Sequence, residues 1–421
     1  MASPRTSWAW VPTLYFAEGL PYVLVVLVST VMYRQLGLSV VDVALYTSWL
    51  YLPWVIKPFW SPFVDLIKTK RWWLLLTQFI LGAGLAGVGL TLNTTNFFRW
   101  SLAIMWLLAF SSATHDISID GFYMLGLDEG EQSMFVGIRN TAYRIAMIAG
   151  QGGLLMLVGA FEKIFGSTVR AWTLGLMISG GIMILLWLYH SYILPHPVAD
   201  CAIEVSGKNL LKEFGMTFVS YFRKPYIVPA LLFILLFRFP EAQLGKIAPL
   251  FLIDTAARGG LELTTGQVGF AQGTLGVIGL LLGGILGGLT LSKYGLKKCI
   301  WYMVAAISVP DLVYVYLSWM PTQNMALVST CIFMEQLGYG FGFTAYALFL
   351  MYFARGEHQT SHYAISTGIM ALGMMLPGMI SGMLQEYMGY RTFFIWIIAC
   401  CTVTCIVSAL IKYEPDFGKK K

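Results

Sequence analysis

Two aspartates, Asp116 and Asp120, stand four residues apart in an otherwise apolar stretch, with Ser112 one turn before them. On a helix all three project from one face. Two carboxylates facing one cavity repel, and the repulsion raises the proton affinity of one of them toward neutral pH. The pair is therefore the candidate proton carrier. Arg144, in the next apolar stretch, is the candidate counter-charge inside the membrane. Permanent neutralisation of one Asp by Arg144 is the alternative role, and the two roles are compatible, one for each Asp. His115 adjoins the pair, but neighbouring positions on a helix diverge by about 100°. With no second His and no Cys nearby, a metal site is disfavoured. His115 then either tunes proton transfer or packs as a hydrogen-bonded ring.

Further ionisable residues lie within apolar runs. Glu18 has Tyr15 three residues before it and Tyr22 four after it, and adjoins Gly19 and Pro21. A Gly-Pro interruption either frees backbone groups to form a binding site or merely kinks the helix. Arg238 and Glu241 are three apart and able to pair with each other. Glu335 and Tyr339 share a face, flanked by Gly338, Gly340 and Gly342, which allow helices to approach closely or slide. The expected solute contacts are Glu18, Tyr15, Tyr22, Arg238, Lys246, Glu335 and Tyr339, with Arg144 and Glu241 as structural charge-pair residues. Tyr15, Tyr22, Trp49 and Tyr339 are able to stack on sugar rings, although interfacial belts use aromatics equally often. No metal and no cofactor is expected; a proton gradient is the energy source.

The elements that hold these residues follow from composition. Of 421 residues 57% are apolar and 11% charged, with mean hydropathy +0.71. A water-soluble chain is about 25% charged, so lipid must solvate this one. A bilayer core needs roughly 20 apolar residues per helix. Runs of that length fall at 11–33, 40–63, 72–92, 100–125, 133–160, 170–193, 226–253, 264–291, 298–320, 324–353, 361–385 and 390–411. The expected fold is all-α and integral to the membrane. Its twelve helices form two bundles, 1–194 and 225–421, joined by an amphipathic cytoplasmic linker at 195–224.

With the N terminus placed inside, 16 of the 27 Lys and Arg residues fall in inner loops and tails and 6 in outer loops. The positive-inside rule therefore puts both termini in the cytoplasm. The net charge of +6 follows largely from this sorting and is no sign of nucleic-acid binding. The six cysteines read as small apolar packing residues. No removable signal peptide is read at the N terminus. The absence of a phosphate-binding loop argues against an ATP-driven pump.

The halves repeat weakly. A shift of 227 pairs Lys70 with Lys297 and Arg71 with Lys298; a shift of 228 pairs Glu18–Pro21 with Lys246–Pro249; a shift of 226 pairs Gly130-Glu131 with Gly356-Glu357. Lys246 thereby occupies the place related to Glu18. Parallel six-span repeats resemble the major facilitator transporters. In that fold, spans one, four, seven and ten line a central cavity. Those spans hold Glu18, His115, Asp116, Asp120, Arg238, Glu241, Lys246 and Glu335; Arg139, Arg144 and Asp311 are the exceptions. The stretch from Asp65 to Arg71 resembles the loop with which such carriers latch their cytoplasmic side, with Ser61 or Trp60 where the usual Gly stands. Asp65 and Arg71 are the implied gate.

The segment from Ser111 to Gly150 resembles the anhydromuropeptide permease branch, which includes the acetyl-CoA transporters. It carries a D-x-x-x-D element (Asp116, Asp120), an acidic loop (Asp128 to Glu131) and a Tyr-Arg pair (Tyr143, Arg144). The F-W-S-P-x-x-D stretch from Phe59 to Asp65 and the G-L-P of Gly19 to Pro21 also match. The resemblance implies a proton-driven importer of N-acetylglucosaminyl-anhydro-muramic acid, with or without peptide, in a bacterial inner membrane. It is expected to work by rocking of two bundles about a midplane site, and to be a monomer. Two spans found in some bacterial members are missing here, which leaves other glycans, siderophores or acyl-CoA, and export, as alternatives. An intramembrane acyltransferase built on His115 and Asp116 would need its groups at a membrane face, whereas these sit mid-span.

Overall fold

The computed structural model describes residues 4–198, 200, 207–356 and 359–414. Among them ten helices are long and apolar enough to cross a membrane. Two further crossings complete the expected twelve. The helix Gln359–Leu410 has 52 residues and is broken at Gly389, where φ is 72°. At 1.5 Å per residue it would measure about 78 Å, more than twice a bilayer core, so it makes the eleventh and twelfth spans. The second span is made of Val40–Trp49 and Leu52–Ile67. Ser39 caps its start, accepting from the Asp42 amide at 3.0 Å. Pro53 is tolerated in the first turn after the break, where a missing N–H leaves no hydrogen bond unmade.

The remaining spans are Ser7–Gln35, Lys70–Thr91, Phe97–Gly126, Gly137–Phe165, Thr168–Ile193, Ile227–Ile253, Thr265–Tyr294, Leu296–Trp319 and Met325–Ala354. The linker contains a helix, Gly207–Phe222; Lys208, Lys212 and Glu213 on it lie outside the described side chains. At its end the Lys224 ammonium donates to the carbonyls of Phe353, at 2.6 Å, and Arg355, at 2.8 Å. A cation there complements the negative C-terminal end of the tenth span.

Contacts divide the chain into two compact units: Met1–Leu36 with Phe59–Ser206, and Gly37–Pro58 with Gly207–Lys421. The core of the first gathers Trp10, Leu14, Tyr15, Phe122, Tyr123 and Phe135. Here the first and fifth spans each widen into a π-helical segment, Leu24–Val28 and Ile148–Leu154. They meet where Gly150 faces Val23, so closely that a Cβ would stand 3.0 Å from a Val23 methyl.

The core of the second unit is built on Phe233, Phe237, Tyr346 and Phe349, with the Phe237 and Tyr346 rings stacked at 5.2 Å. Val40–Trp49, from the first half of the sequence, packs here against the eleventh span. The missing side chain of Gly382 makes room for it: a Cβ would lie 2.7 Å from the Val40 carbonyl oxygen. The glycines flanking Tyr339 serve close packing. Gly340 abuts the backbone of the eighth span at Leu280, while Gly338 and Gly342 abut the ninth at Ala306 and Met303.

The eighth span answers with Gly279, where a Cβ would come within 2.6 Å of the Phe333 carbonyl oxygen, and with Gly283 against Leu337. Its neighbour Gly284 faces open space, with nothing within 4 Å. Gly283→Leu should therefore lower the unfolding midpoint in detergent, by an overpacking cost of about 1–3 kcal/mol or more, while Gly284→Leu leaves it near wild type. Equal midpoints for the two variants would refute this packing.

Candidate functional site

In the first unit the polar groups form a chain across three spans. The Tyr15 hydroxyl donates to Asp120 Oδ1 at 3.1 Å. Arg139 Nη1 donates to the same hydroxyl at 3.1 Å and lies 3.4 Å from Asp120 Oδ1. Its guanidinium also sits over the rings of Tyr15, at 5.1 Å, and Tyr123, at 5.2 Å. Stacking of this type suits the planar, weakly hydrated guanidinium. Asp120 keeps 44% of its side-chain surface exposed and Arg139 31%, so a proton or a solute can reach both.

Glu18, one helical turn from Tyr15, is close enough to interact electrostatically with Tyr15, Arg139 and Tyr143. Tyr22 lies against Tyr143, ring centroids 6.4 Å apart. Gly19 lets the first and fifth spans touch: a Cβ would meet the Tyr143 carbonyl oxygen at 3.0 Å. Asp116, partly buried, interacts electrostatically with Tyr143.

Local sequence sets this geometry. Asp128 and Glu131, from the acidic loop, form a capping box that starts the fifth helix, satisfying amides that would otherwise be orphaned. Glu131 also accepts from Ser7 Oγ at 3.2 Å, which ties the first span to the fifth.

A cation beside Asp120 is Arg139; Arg144 was expected as the counter-charge of one of the two aspartates. Arg144 Nη1 lies 3.3 Å from the sulfur of Met147. Depth explains the difference. The turn between the fourth and fifth spans falls at Leu127 and Asp128. Asp120 and Arg139 are close to it on either side, whereas Arg144 is five residues, or about 7.5 Å, further in. His115 is fully buried, and neither ring nitrogen has a hydrogen-bond partner among the described residues.

In the second unit Lys246 is 4% exposed. Its ammonium donates to Thr47 Oγ1 at 3.1 Å and lies 5.2 Å from the centre of the Tyr51 ring. Both belong to the second span, where the sequence reading named only Trp49 as a candidate solute contact. Arg238 stands at the break in the seventh span, just before the helix Phe239–Ile253. It donates to the Tyr339 hydroxyl and lies over the rings of Tyr339 and Phe343.

Arg238 and Glu241 interact electrostatically, but two other carboxylates crowd Glu241. Glu241, Asp311 and Glu335 place ligand oxygens within 4.8 Å of one another. Asp311, an isolated exception in the sequence reading, thus joins two expected site residues. A buried acid in the middle of a span needs a partner, and that was the available signal for it.

At the expected gate, the Asp65 side chain lies outside the described residues. Arg71 donates to the Ser191 carbonyl at 2.7 Å, and its backbone amide donates to Asp200 Oδ2 at 3.0 Å. The Lys70 amide donates to Asp200 Oδ1 at 2.7 Å. The acid at this helix start is therefore Asp200, placed where exposed amides favour an anion.

The chain matches the family model for the Major Facilitator Superfamily over residues 13–376. It is 24% identical over 415 residues to the anhydromuropeptide permease of Escherichia coli strain K12, covering 96% of this chain and 80% of that one. It is also 24% identical over 411 residues to putative transporter AmpG 4 of Rickettsia conorii, with 91% of each chain covered. A crystal structure of a D-xylose–proton symporter superposes with TM-score 0.73 at 12% identity, covering all of both chains.

If Arg139 is the partner of Asp120, a double-mutant cycle of Arg139→Gln with Asp120→Asn should show a stability coupling of about 0.5–1 kcal/mol, the range of half-exposed pairs. Arg144→Gln with Asp120→Asn should show none. The reverse order of couplings would assign the pair to Arg144.

Proposed function

The chain belongs to the Major Facilitator Superfamily, and we propose that it is a proton-coupled importer of a small anionic glycan such as an anhydromuropeptide. Membership makes it a multi-pass membrane transporter and sets the acyltransferase alternative aside. The observation that carries the coupling is the shared engagement of Arg139 by Asp120 and the Tyr15 hydroxyl.

Ionised, Asp120 holds Arg139 as an ion pair. A proton on Asp120 removes that attraction and releases the guanidinium for another carboxylate. The lactyl carboxyl of a muramic acid, or a peptide carboxylate attached to it, is of the right kind for bidentate recognition. Proton and solute then bind cooperatively, and each raises the affinity for the other. Tyr15 and Tyr123 offer aromatic faces beside the same guanidinium, suited to the apolar face of a sugar ring. Asp116, Glu18 and Tyr22 are proposed to shape the same polar region, and Arg238, Lys246, Glu335 and Tyr339 the corresponding region of the second unit. Arg71 with Asp200 is the proposed cytoplasmic latch.

Similarity along almost the whole chain to a permease named for anhydromuropeptides supports the solute class. The asymmetry of Lys and Arg supports cytoplasmic termini, and the bacterial relatives support a bacterial inner membrane.

The test is uptake of labelled N-acetylglucosaminyl-anhydro-muramic acid by proteoliposomes. An inward proton gradient should drive accumulation that a protonophore abolishes, and Asp120→Asn should lower it by roughly tenfold or more. No uptake by correctly oriented protein would reject this solute in favour of another glycan, a siderophore or acyl-CoA. Uptake indifferent to the gradient would reject the coupling.

A further inference from the structure

Three carboxylates of the second unit occupy one buried place. Glu241 of the seventh span is 7% exposed, Asp311 of the ninth 2% and Glu335 of the tenth 3%. Their oxygens lie within 4.8 Å of one another. Glu335 is satisfied by Gln336, whose amide donates to both of its oxygens at 3.2 and 2.9 Å. Asp311 Oδ2 faces the Cys401 thiol of the twelfth span at 3.8 Å.

The other two acids are not satisfied. Glu241 Oε1 and Asp311 Oδ1 are buried and accept from no donor of the described structure, although the two side chains are within hydrogen-bonding reach of each other. Two ionised carboxylates cannot hydrogen-bond, because each can only accept. One proton between them supplies the missing donor to both.

The surroundings call for the same proton. The groups facing the cluster are Arg238 on the seventh span, Tyr314 on the ninth and Cys401 on the twelfth, with the neutral amides of Gln272 on the eighth and Gln336 on the tenth. One guanidinium cannot balance three carboxylate charges removed from water. Arg238 is itself divided, since it donates to the Tyr339 hydroxyl and covers two rings.

We infer that Glu241 and Asp311 share a bound proton, with Glu335 as their third neighbour, and that this is a protonation site of the second unit separate from Asp116 and Asp120. It lets the transporter hold a proton in each unit. A metal ion fits the place less well. A hard cation takes about six oxygen ligands or more, and the groups around the three acids are a guanidinium, a thiol and amides rather than a full set of oxygen ligands. The inference uses the proton-coupled reading only for its purpose. The shared proton itself does not depend on which solute is carried, so its failure would leave the Tyr15–Asp120–Arg139 reading standing.

The experiment is infrared spectroscopy of the purified protein in lipid, following the carboxylic acid C=O stretch across a pH titration without solute. The wild type should retain a carboxylic acid band at neutral pH. The double variant Glu241→Gln/Asp311→Asn should lose the intensity of one carboxyl group, and either single variant should shift the band, because the hydrogen-bond partner changes. If the double variant does not fold, the single variants decide. Spectra identical to wild type at neutral pH would overturn the inference. So would a band that appears only when sodium and divalent ions are removed, because a metal would then occupy the site.

Discussion

An ionised side chain in hydrocarbon costs at least about 2.5–3.5 kcal/mol even on the mildest scale. Among the described residues three deep cations answer that cost with groups from another helix. Arg139 of the fifth span is held by Tyr15 of the first and Asp120 of the fourth. Lys246 of the seventh is held by Thr47 of the second, and Arg238 of the seventh by Tyr339 of the tenth. The polar side chains therefore help to fix which helices must be neighbours. Groups that answer one another across helices are also groups whose balance a proton or a solute can upset.

Such pairings need helices close enough for short side chains to meet. Where the second unit gathers its acids, the tenth span is wedged by glycines between the eighth and the ninth. That backbone-to-backbone approach puts Glu335 beside Asp311. In the first unit Gly19 and Gly150 bring the first and fifth spans together, and π-helical turns in both spans re-aim the residues that follow. Small residues let the helices approach, and the acids those helices carry do the chemistry.

The fold was legible in the sequence because a bilayer dictates the length of each apolar run, and six-span repeats dictate their grouping. The break at Gly389 falls between the expected spans 361–385 and 390–411. The exception is physical: the second span is divided near Tyr51, in a segment that packs with the opposite half of the sequence. Much of the candidate site was legible by type, since Asp120, Arg238, Lys246 and Glu335 were singled out by charge at depth and Tyr15 by its spacing from Glu18. Their partners were not. Spacing along one helix gives depth and face, but not which other helix stands opposite that face. Asp311 was set aside for that reason, and Thr47 and Tyr51 went unnamed. Arg139 was within reach of the sequence, because counting from the turn at Leu127 places it nearer the depth of Asp120 than Arg144.

Solute and proton are proposed to move together because a proton on Asp120 frees Arg139 for the carboxylate of the solute. The most direct measurement is proton movement driven by the solute alone. Proteoliposomes carrying a pH-sensitive dye inside, with equal pH on both sides, receive external N-acetylglucosaminyl-anhydro-muramic acid. The interior should acidify as solute enters, and the Asp116→Asn/Asp120→Asn variant should show no such change. Solute entry with no acidification in the wild type would contradict the proposed coupling.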